Sequence, residues 1–236
     1  MKLGIMQPYF FPYIGYFSLI CNVDTFILLD SVQFIRHGWI ERNRILKQTG
    51  GWQYISVPLE KHTQKTLIKD IYIDNEKAWQ ERLLAQIAHY RKAPYYYPVQ
   101  KLLKNVLSDS YERITFLNKR CLDEVCAYLD IPVSIQVFSE MDLEISPVLE
   151  PDDWALNICR AYPGADEYWN PRGGSGLFHR EKYADCGIRL RFHEVQPVFY
   201  QQKGNPFEPS LSIIDVLMFN SASEIRNMLG RYRLYE

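Results

Sequence analysis

An apolar run from Leu3 to Met6, interrupted only by Gly4, reads as a short buried strand. It stops at Gln7-Pro8. Beyond Pro12 the apolar positions Ile14, Phe17, Leu19-Ile20 and Val23 fall at helical spacing, and a second apolar run, Thr25 to Asp30, follows at once. The order is strand, polar-aromatic turn, helix, strand. Crossovers between neighbouring parallel strands are right-handed in nearly every known case, which puts the first turn at the carboxyl edge of the sheet, where open α/β sheets bind ligands. A turn built from Gln7, two prolines, Tyr9, Tyr13 and Tyr16 around Gly15 is unusual there for packing alone.

Further along, Ile45-Leu46 and Trp52–Leu59 flank Lys47-Gln-Thr-Gly-Gly51, the pattern of a β-hairpin. Ile68 to Ile73 alternates apolar and polar residues and reads as a half-exposed strand. Three helices follow: one carrying Trp79, Leu83-Leu84, Ile87 and Tyr90, a second starting at Tyr95, and a third from about Tyr111 to Leu129. Strand character returns at Ser134–Phe138, helix at Asp152–Tyr162, and strand at Glu167–Asn170, which runs into the glycine-rich turn Pro171–Gly176. Helix Phe178–Cys186, strand Ile188–Phe192, a polar loop Gln201–Pro209 and helices at Leu211–Phe219 and Ala222–Leu229 complete the pattern. The expected fold is α/β: a Rossmann-like, mainly parallel sheet with a helical insertion over about 75–130 and a β-hairpin excursion, forming a single domain over 1–236.

Composition narrows the function classes. With 236 residues, 47% of them hydrophobic, the chain can bury a sizeable core, and a formal net charge of −1 argues against a nucleic-acid partner. No apolar run approaches the length of a membrane span, so no membrane insertion is expected. The five cysteines are odd in number and lack CxxC spacing, which argues against a disulfide framework or zinc site and for a reducing cytoplasm. The five histidines show no metal spacing either, and no metal site is expected from the protein alone. Homo-oligomerisation is left open.

The candidate chemistry lies in a few stretches. A strand, short turn and helix is also the local plan of nucleotidyltransferases and related ligases, which place a His-x-Gly-His motif at the helix start; here Tyr13-Ile14-Gly15-Tyr16 stands in that place. Tyrosine donates a hydrogen bond but stays neutral near pH 7, so Tyr13 and Tyr16 face either a ligand or the core. Asp30, a carboxylate ending a buried strand, is a candidate base or ligand. The Arg36–Arg44 loop, with Arg42, Asn43 and Arg44, suits an oxyanion or is a solvated surface loop. Gly173 and Gly174 allow close approach of backbone N–H groups to an anion, or simply make a tight connection.

These residues together resemble the WbqC-like family. The likeness is carried by Gln7-Pro-Tyr-Phe-Phe-Pro-Tyr-Ile-Gly-Tyr-Phe17, Asp30 with Val32-Gln33-Phe34, Arg42-Asn-Arg44, Val57-Pro-Leu59, Tyr90 with Ala93-Pro-Tyr95, Asn170-Pro171 with Gly173-Gly174, and Pro209 with Leu211-Ser-Ile-Ile-Asp215. The resemblance implies a place in bacterial surface-polysaccharide synthesis, notably O-antigen, as an aminoacyl or acyl transferase or amide-forming ligase. Such an enzyme attaches a glycyl-type or other acyl group to a nucleotide-linked amino sugar. Acyl activation implies ATP with Mg2+ and no prosthetic group. On this reading Gln7, Tyr13 and Asp30 are catalytic, while Pro8, Tyr16, Gln33, Arg42, Asn43, Arg44, Asn170, Gly173, Gly174 and Asp215 bind substrate or nucleotide. The competing expectation is a non-catalytic nucleotide-sugar binder or scaffold of the same pathway.

Overall fold

The computed structural model describes residues 1–202 and 206–236; part of the expected loop Gln201–Pro209, namely Lys203, Gly204 and Asn205, lies outside the described residues. Strand β1 (Lys2–Met6) leads through the first turn into α1 (Ile14–Cys21) and β2 (Thr25–Leu28). A long excursion follows, holding the hairpin β3 (Arg42–Leu46) and β4 (Trp52–Ser56) and helices α2 (Trp79–Ile87), α3 (Tyr96–Leu107) and α4 (Ile114–Tyr128). The chain then runs through β5 (Ser134–Val137), α5 (Asp153–Ala161), β6 (Glu167–Pro171), α6 (Arg180–Asp185) and β7 (Arg189–Val195) to α7 (Ile213–Phe219), α8 (Ala222–Leu229) and β8 (Tyr232–Tyr235).

The main sheet has the order β5-β2-β1-β6-β7-β8, parallel except for β8, which pairs antiparallel with β7. From β1 the chain builds outward to one side through β2 and β5, then to the other through β6, β7 and β8. This is the doubly-wound Rossmann order, with its switch point between β1 and β6. The hairpin forms a separate two-stranded sheet. The fold is therefore α/β with a mainly parallel sheet and an antiparallel hairpin, as the sequence pattern predicts.

The period-two alternation of the central strands makes two cores. Leu3, Ile5, Ile27 and Tyr168 face α5 and α6, in a cluster with Ile158 and Tyr183. Phe26, Leu28 and Trp169 face the other way, into a larger core that continues through α1, α7 and α8 and the helical excursion. That second core is what anchors the excursion, and with it the carboxyl edge of the sheet.

Two segments depart from the sequence reading. Ile68–Asp70 is a turn of 3₁₀ helix, and it lets Ile68 be buried together with Ile71 and Ile73, which strict alternation would put on the opposite face from Ile68. Its amides are used singly: Ile68 donates to the Val32 carbonyl, Lys69 to that of Asp30 and Ile73 to that of Glu112, so no ladder forms. Strand β8 was not expected, because the short edge sequence Tyr-Arg-Leu-Tyr carries no apolar face of its own and is defined by pairing with β7.

The first turn, Gln7 to Tyr13, is held by groups from distant elements. Prolines at 8 and 12 remove two amide donors, and Phe11 has φ 39°, so the segment cannot form its own ladder. The Pro8 carbonyl accepts from Asn118 Nδ2 of α4 (3.0 Å), and those of Phe10 and Phe11 accept from Asn43 Nδ2 of β3 (3.1 and 3.0 Å). Ser212 Oγ also donates to the Phe11 carbonyl (2.7 Å), and the Ile213 amide to that of Pro12 (2.9 Å). Asn118 and Asn43 are buried. Asn118→Ala strands the buried carbonyls of Pro8 and Ile40, both of which Asn118 serves. We expect a loss of about 2 kcal/mol or more, read as a lower urea midpoint at unchanged slope.

Candidate functional site

Two hollows open at the carboxyl edge of the sheet, the larger at the ends of β1 and β6, the switch point, and the smaller at the ends of β6 and β7. The larger, a crevice of about 1100 Å³, is lined by the β1 end and first turn (Met6, Gln7, Tyr9), by Gln33–Arg36, and by Asn170, Gly173 and Gly174 beyond β6, with Trp154, Leu177 and Phe178 as apolar wall. The smaller, of about 400 Å³, lies towards β7 and takes Tyr13, Ile14 and Gly15, then Arg172, Phe199, Tyr200 and Phe207. Pro171 and Gly173 border both hollows.

In the crevice the polar groups are chiefly carboxamides. Among the described residues the Gln7 side chain has no protein partner, while its carbonyl accepts from the buried Tyr16 hydroxyl (2.8 Å). Asn170, nearly buried, donates to the Tyr168 hydroxyl (2.6 Å), and Gly174 packs against its amide oxygen. A Cβ at Gly174 would come 2.5 Å from that oxygen, so the glycine is needed to hold the turn on Asn170. Gln33 Nε2 bonds the Gln64 carbonyl, and Arg36 Nη2 bonds that of His62 (3.3 Å). A carboxamide presents donor and acceptor side by side, which suits a hydroxyl-bearing ligand.

Tyr13 is seated by a missing atom. A Cβ on Gly15 would lie 2.3–2.6 Å from the Tyr13 ring and hydroxyl, so only glycine lets the ring lie over the start of α1. Burial raises the Tyr13 phenol above its ordinary value, so it is a donor and not a phenolate. Tyr16 belongs to the core, and Pro8 contributes its carbonyl to Asn118.

The two carboxylates singled out in the sequence are structural ties. Asp30 is buried and accepts from the Ser139 amide (3.0 Å) and hydroxyl (2.6 Å), joining the ends of β2 and β5. Burial raises its carboxyl, and the Ser139 hydrogen bonds oppose this. Asp215, fully buried, accepts from Tyr90 (2.7 Å), Tyr200 (2.5 Å) and Gln202 (3.0 Å). Neither carboxylate lines the crevice or the cavity.

The basic loop divides likewise. Asn43 serves the first turn, while Arg42 and Arg44 stand on the outer face of the hairpin. Arg42 lies 4.3 Å from the Tyr54 ring centroid and bonds the His37 carbonyl (2.6 Å); Arg44 lies 5.4 and 5.2 Å from those of Trp39 and Trp52 and bonds the Ser210 carbonyl (3.3 Å). The structure thus brings Gln7, Gln33, Asn170, Gly173 and Gly174 together in the crevice and places Tyr13 in the adjoining cavity. It keeps Asp30, Asp215, Arg42 and Arg44 apart from both.

The sequence pattern did not disclose a charged cluster at the crevice rim. Glu150, which lines the crevice, has ligand atoms within 4.8 Å of those of Asp152 and His179. Asp152 is buried and accepts from His179 Nδ1 (2.8 Å) and Lys182 (3.1 Å), and Lys182 also bonds Glu150 (2.7 Å) and Asp153 (2.8 Å). Burial acts to raise the Asp152 carboxyl, but the hydrogen bonds from His179 and Lys182 together hold it below the usual range. The residues come from the chain entering α5 and from the start of α6, and neither stretch has ligand spacing of its own.

With this geometry in view, the comparisons with known proteins bear on identity. The model of the WbqC-like protein family matches residues 7–227. The chain belongs to the WbqC-like family. It is 29% identical over 231 residues, 97% of each chain, to a protein of Mycobacterium tuberculosis (strain ATCC 25618 / H37Rv) described as uncharacterized protein Rv1507c. No solved structure matches the chain significantly. The family match spans the first turn, the hairpin, the turn after β6 and α7, which are the elements that build both hollows. Among the described residues, no helix is long and apolar enough to cross a membrane.

Two buried groups give this WbqC-like protein a testable pH signature. Burial raises the Asp215 carboxyl to about 6 from 3.8, against the hydrogen bonds of its partners, and lowers His193, bonded to Ser18 Oγ (3.0 Å), to about 4 from 6.5. Between about pH 4 and 6 the folded state holds a proton on Asp215 that the unfolded chain has released, so this group's contribution falls as pH rises. His193 does the reverse: its contribution is present above the unfolded value and is lost as pH falls through the folded one. The two slopes oppose each other. Relative to the parent protein, Asp215→Asn should gain stability with rising pH across this window and His193→Gln should lose it, measured as urea midpoints from pH 4 to 7.

Proposed function

We propose that the protein transfers an acyl or aminoacyl group to the amine of a nucleotide-linked amino sugar, with the sugar in the crevice between β1 and β6. The observation that carries this reading is the pair of carboxamides at the switch point: Gln7 at the end of β1, without a protein partner, and Asn170 at the end of β6, held by Tyr168. Open α/β sheets bind ligands at this place, and amide side chains read hydroxyl and amino groups by paired donor and acceptor contacts. The volume of about 1100 Å³ exceeds what a sugar needs and leaves room for an acyl donor beside the apolar wall of Trp154, Leu177 and Phe178.

The acyl group must arrive activated, because a free carboxylate does not acylate an amine at neutral pH. ATP would supply that activation. Asp30 and Asp215 do not suit its Mg2+, since both are buried and engaged away from the crevice. Glu150 and Asp152 are the carboxylates that would hold the ion, in exchange for the Lys182 ammonium that neutralises them. The part of this chain's own residues is to orient: Gln7 and Asn170 fix the sugar, Gly173 and Gly174 let backbone approach it, and Tyr9 closes one side.

A second reading, a nucleotide-sugar binder without turnover, is favoured by one fact: among the described residues the carboxylates with raised values, Asp30, Glu41 and Asp215, all lie outside the crevice. The test separates the two. Purified protein supplied with ATP, glycine and a nucleoside-diphosphate amino sugar should show amino-acid-dependent ATP–pyrophosphate exchange and an acylated sugar by mass spectrometry. Gln7→Ala and Asn170→Ala should each lower kcat/KM for the sugar by on the order of tenfold, the loss of about one hydrogen bond. Absence of exchange and of acylated product, together with tight sugar binding, would leave the binding reading in its place.

A further inference from the structure

The smaller cavity is lined differently from the crevice. Its walls are aromatic: Tyr13 over the start of α1, then Phe199, Tyr200 and Phe207 from the chain beyond β7. Tyr200 is fixed from behind by Asp215, and Phe207 stands edge-on to it, ring centroids 5.4 Å apart. Phe199, 74% exposed, packs only against Phe207 among the aromatic pairs, at 5.4 Å, and leaves an apolar face open to solvent at the rim. Arg172 enters the same cavity, its guanidinium held by Glu194 (2.9 Å) and lying 4.0 Å from the Tyr235 ring centroid. Between cavity and crevice stands Gly173, and a Cβ there would meet nothing within 4 Å. A side chain at this position would meet no packing obstacle, and the Gly173 backbone lines both hollows.

We infer that the aromatic cavity is a nucleobase site, and that one nucleoside-diphosphate sugar spans both hollows with its diphosphate crossing the backbone at Gly173 beside Arg172. This rests on the reading above for the sugar half only. The three parts of the ligand match three parts of the surface. A flat base stacks on aromatic rings whatever its identity, a diphosphate passes close to backbone where there is no Cβ and a guanidinium stands near, and a hydroxylated ring meets carboxamides. The volume of about 400 Å³ suits a base with its ribose, and the sheet's strand order places such ligands across the switch point.

The test uses the full chain and calorimetric titration with UMP, dTMP and GMP, then the corresponding nucleoside-diphosphate hexosamine of whichever base binds. One of the nucleotides should bind at micromolar to sub-millimolar concentration. Phe207→Ala and Phe199→Ala should weaken it tenfold or more, whereas Asn170→Ala should leave it within twofold. Gly173→Val, with an unchanged melting temperature as control for folding, should bind the monophosphate like the parent but bring the affinity of the sugar nucleotide down to that of the monophosphate. The inference is overturned if none of the nucleotides binds, if Asn170→Ala abolishes nucleotide binding while Phe207→Ala retains it, or if Gly173→Val leaves sugar-nucleotide affinity intact. Nucleotide binding without acyl transfer would sink the transferase and spare this site; acylation of a free amino sugar with no nucleotide affinity would do the opposite.

Discussion

A turn between β1 and α1 that cannot satisfy its own backbone is the constraint on which the rest of the structure depends. Two prolines remove donors and Phe11 takes a positive φ, so the carbonyls of Pro8, Phe10, Phe11 and Pro12 need partners from elsewhere. Those partners are Asn118 from the helical excursion, Asn43 from the hairpin, and the Ser212 hydroxyl and Ile213 amide that open α7. Loss of Asn118, Asn43 or the Ile213 amide would leave the carbonyl of Pro8, Phe10 or Pro12 without that partner, while that of Phe11 is held twice. The turn is thus a meeting point that sets where the excursion, the hairpin and the last third of the chain sit at the carboxyl edge of the sheet.

The two hollows are a consequence. Holding the turn rigidly puts Gln7 and Tyr9 on the side of the crevice and Tyr13 on the side of the aromatic cavity, with the end of β6 opposite both. Glycine completes the arrangement at two places for different reasons. At Gly15 a Cβ would collide with the Tyr13 ring, whereas at Gly173 nothing stands in the way and the bare backbone lines both hollows.

The charged residues divide between tying and facing. Asp30 and Asp215 spend their oxygens on Ser139 and on Tyr90, Tyr200 and Gln202, and so link β2 to β5 and α7 to the chain beyond β7. Arg42 and Arg44 lie against aromatic rings on the outside of the hairpin. The charge that lines the crevice comes from Arg36 and Glu150, and Glu150 is tied to Asp152, His179 and Lys182 where α5 and α6 begin, with the Tyr183 hydroxyl bonding the Asp152 carbonyl.

Much was legible in the sequence because it is local. Apolar runs at Leu3–Met6 and Thr25–Leu28, helical spacing after Pro12 and a Gly-Gly turn between β-rich runs determine β1, β2, α1 and the hairpin whatever surrounds them. The handedness of crossovers then places the first turn at the carboxyl edge; the pairing of β6 with β1, which brings Asn170 there, is tertiary. Whether an aspartate at a strand end binds a ligand or ties two strands together cannot be read from its position, because Asp30 and Asp215 acquire their roles from Ser139 and Tyr90, more than a hundred residues away in sequence. The same holds for β8, which exists only as a partner of β7, and for Ile68–Ile73, where a 3₁₀ turn and isolated bridges take the place of a ladder. Local patterning determined the elements and the edge; long-range pairing of buried polar groups decided which residues face the crevice, because only the packed structure shows which hydrogen bonds are already taken.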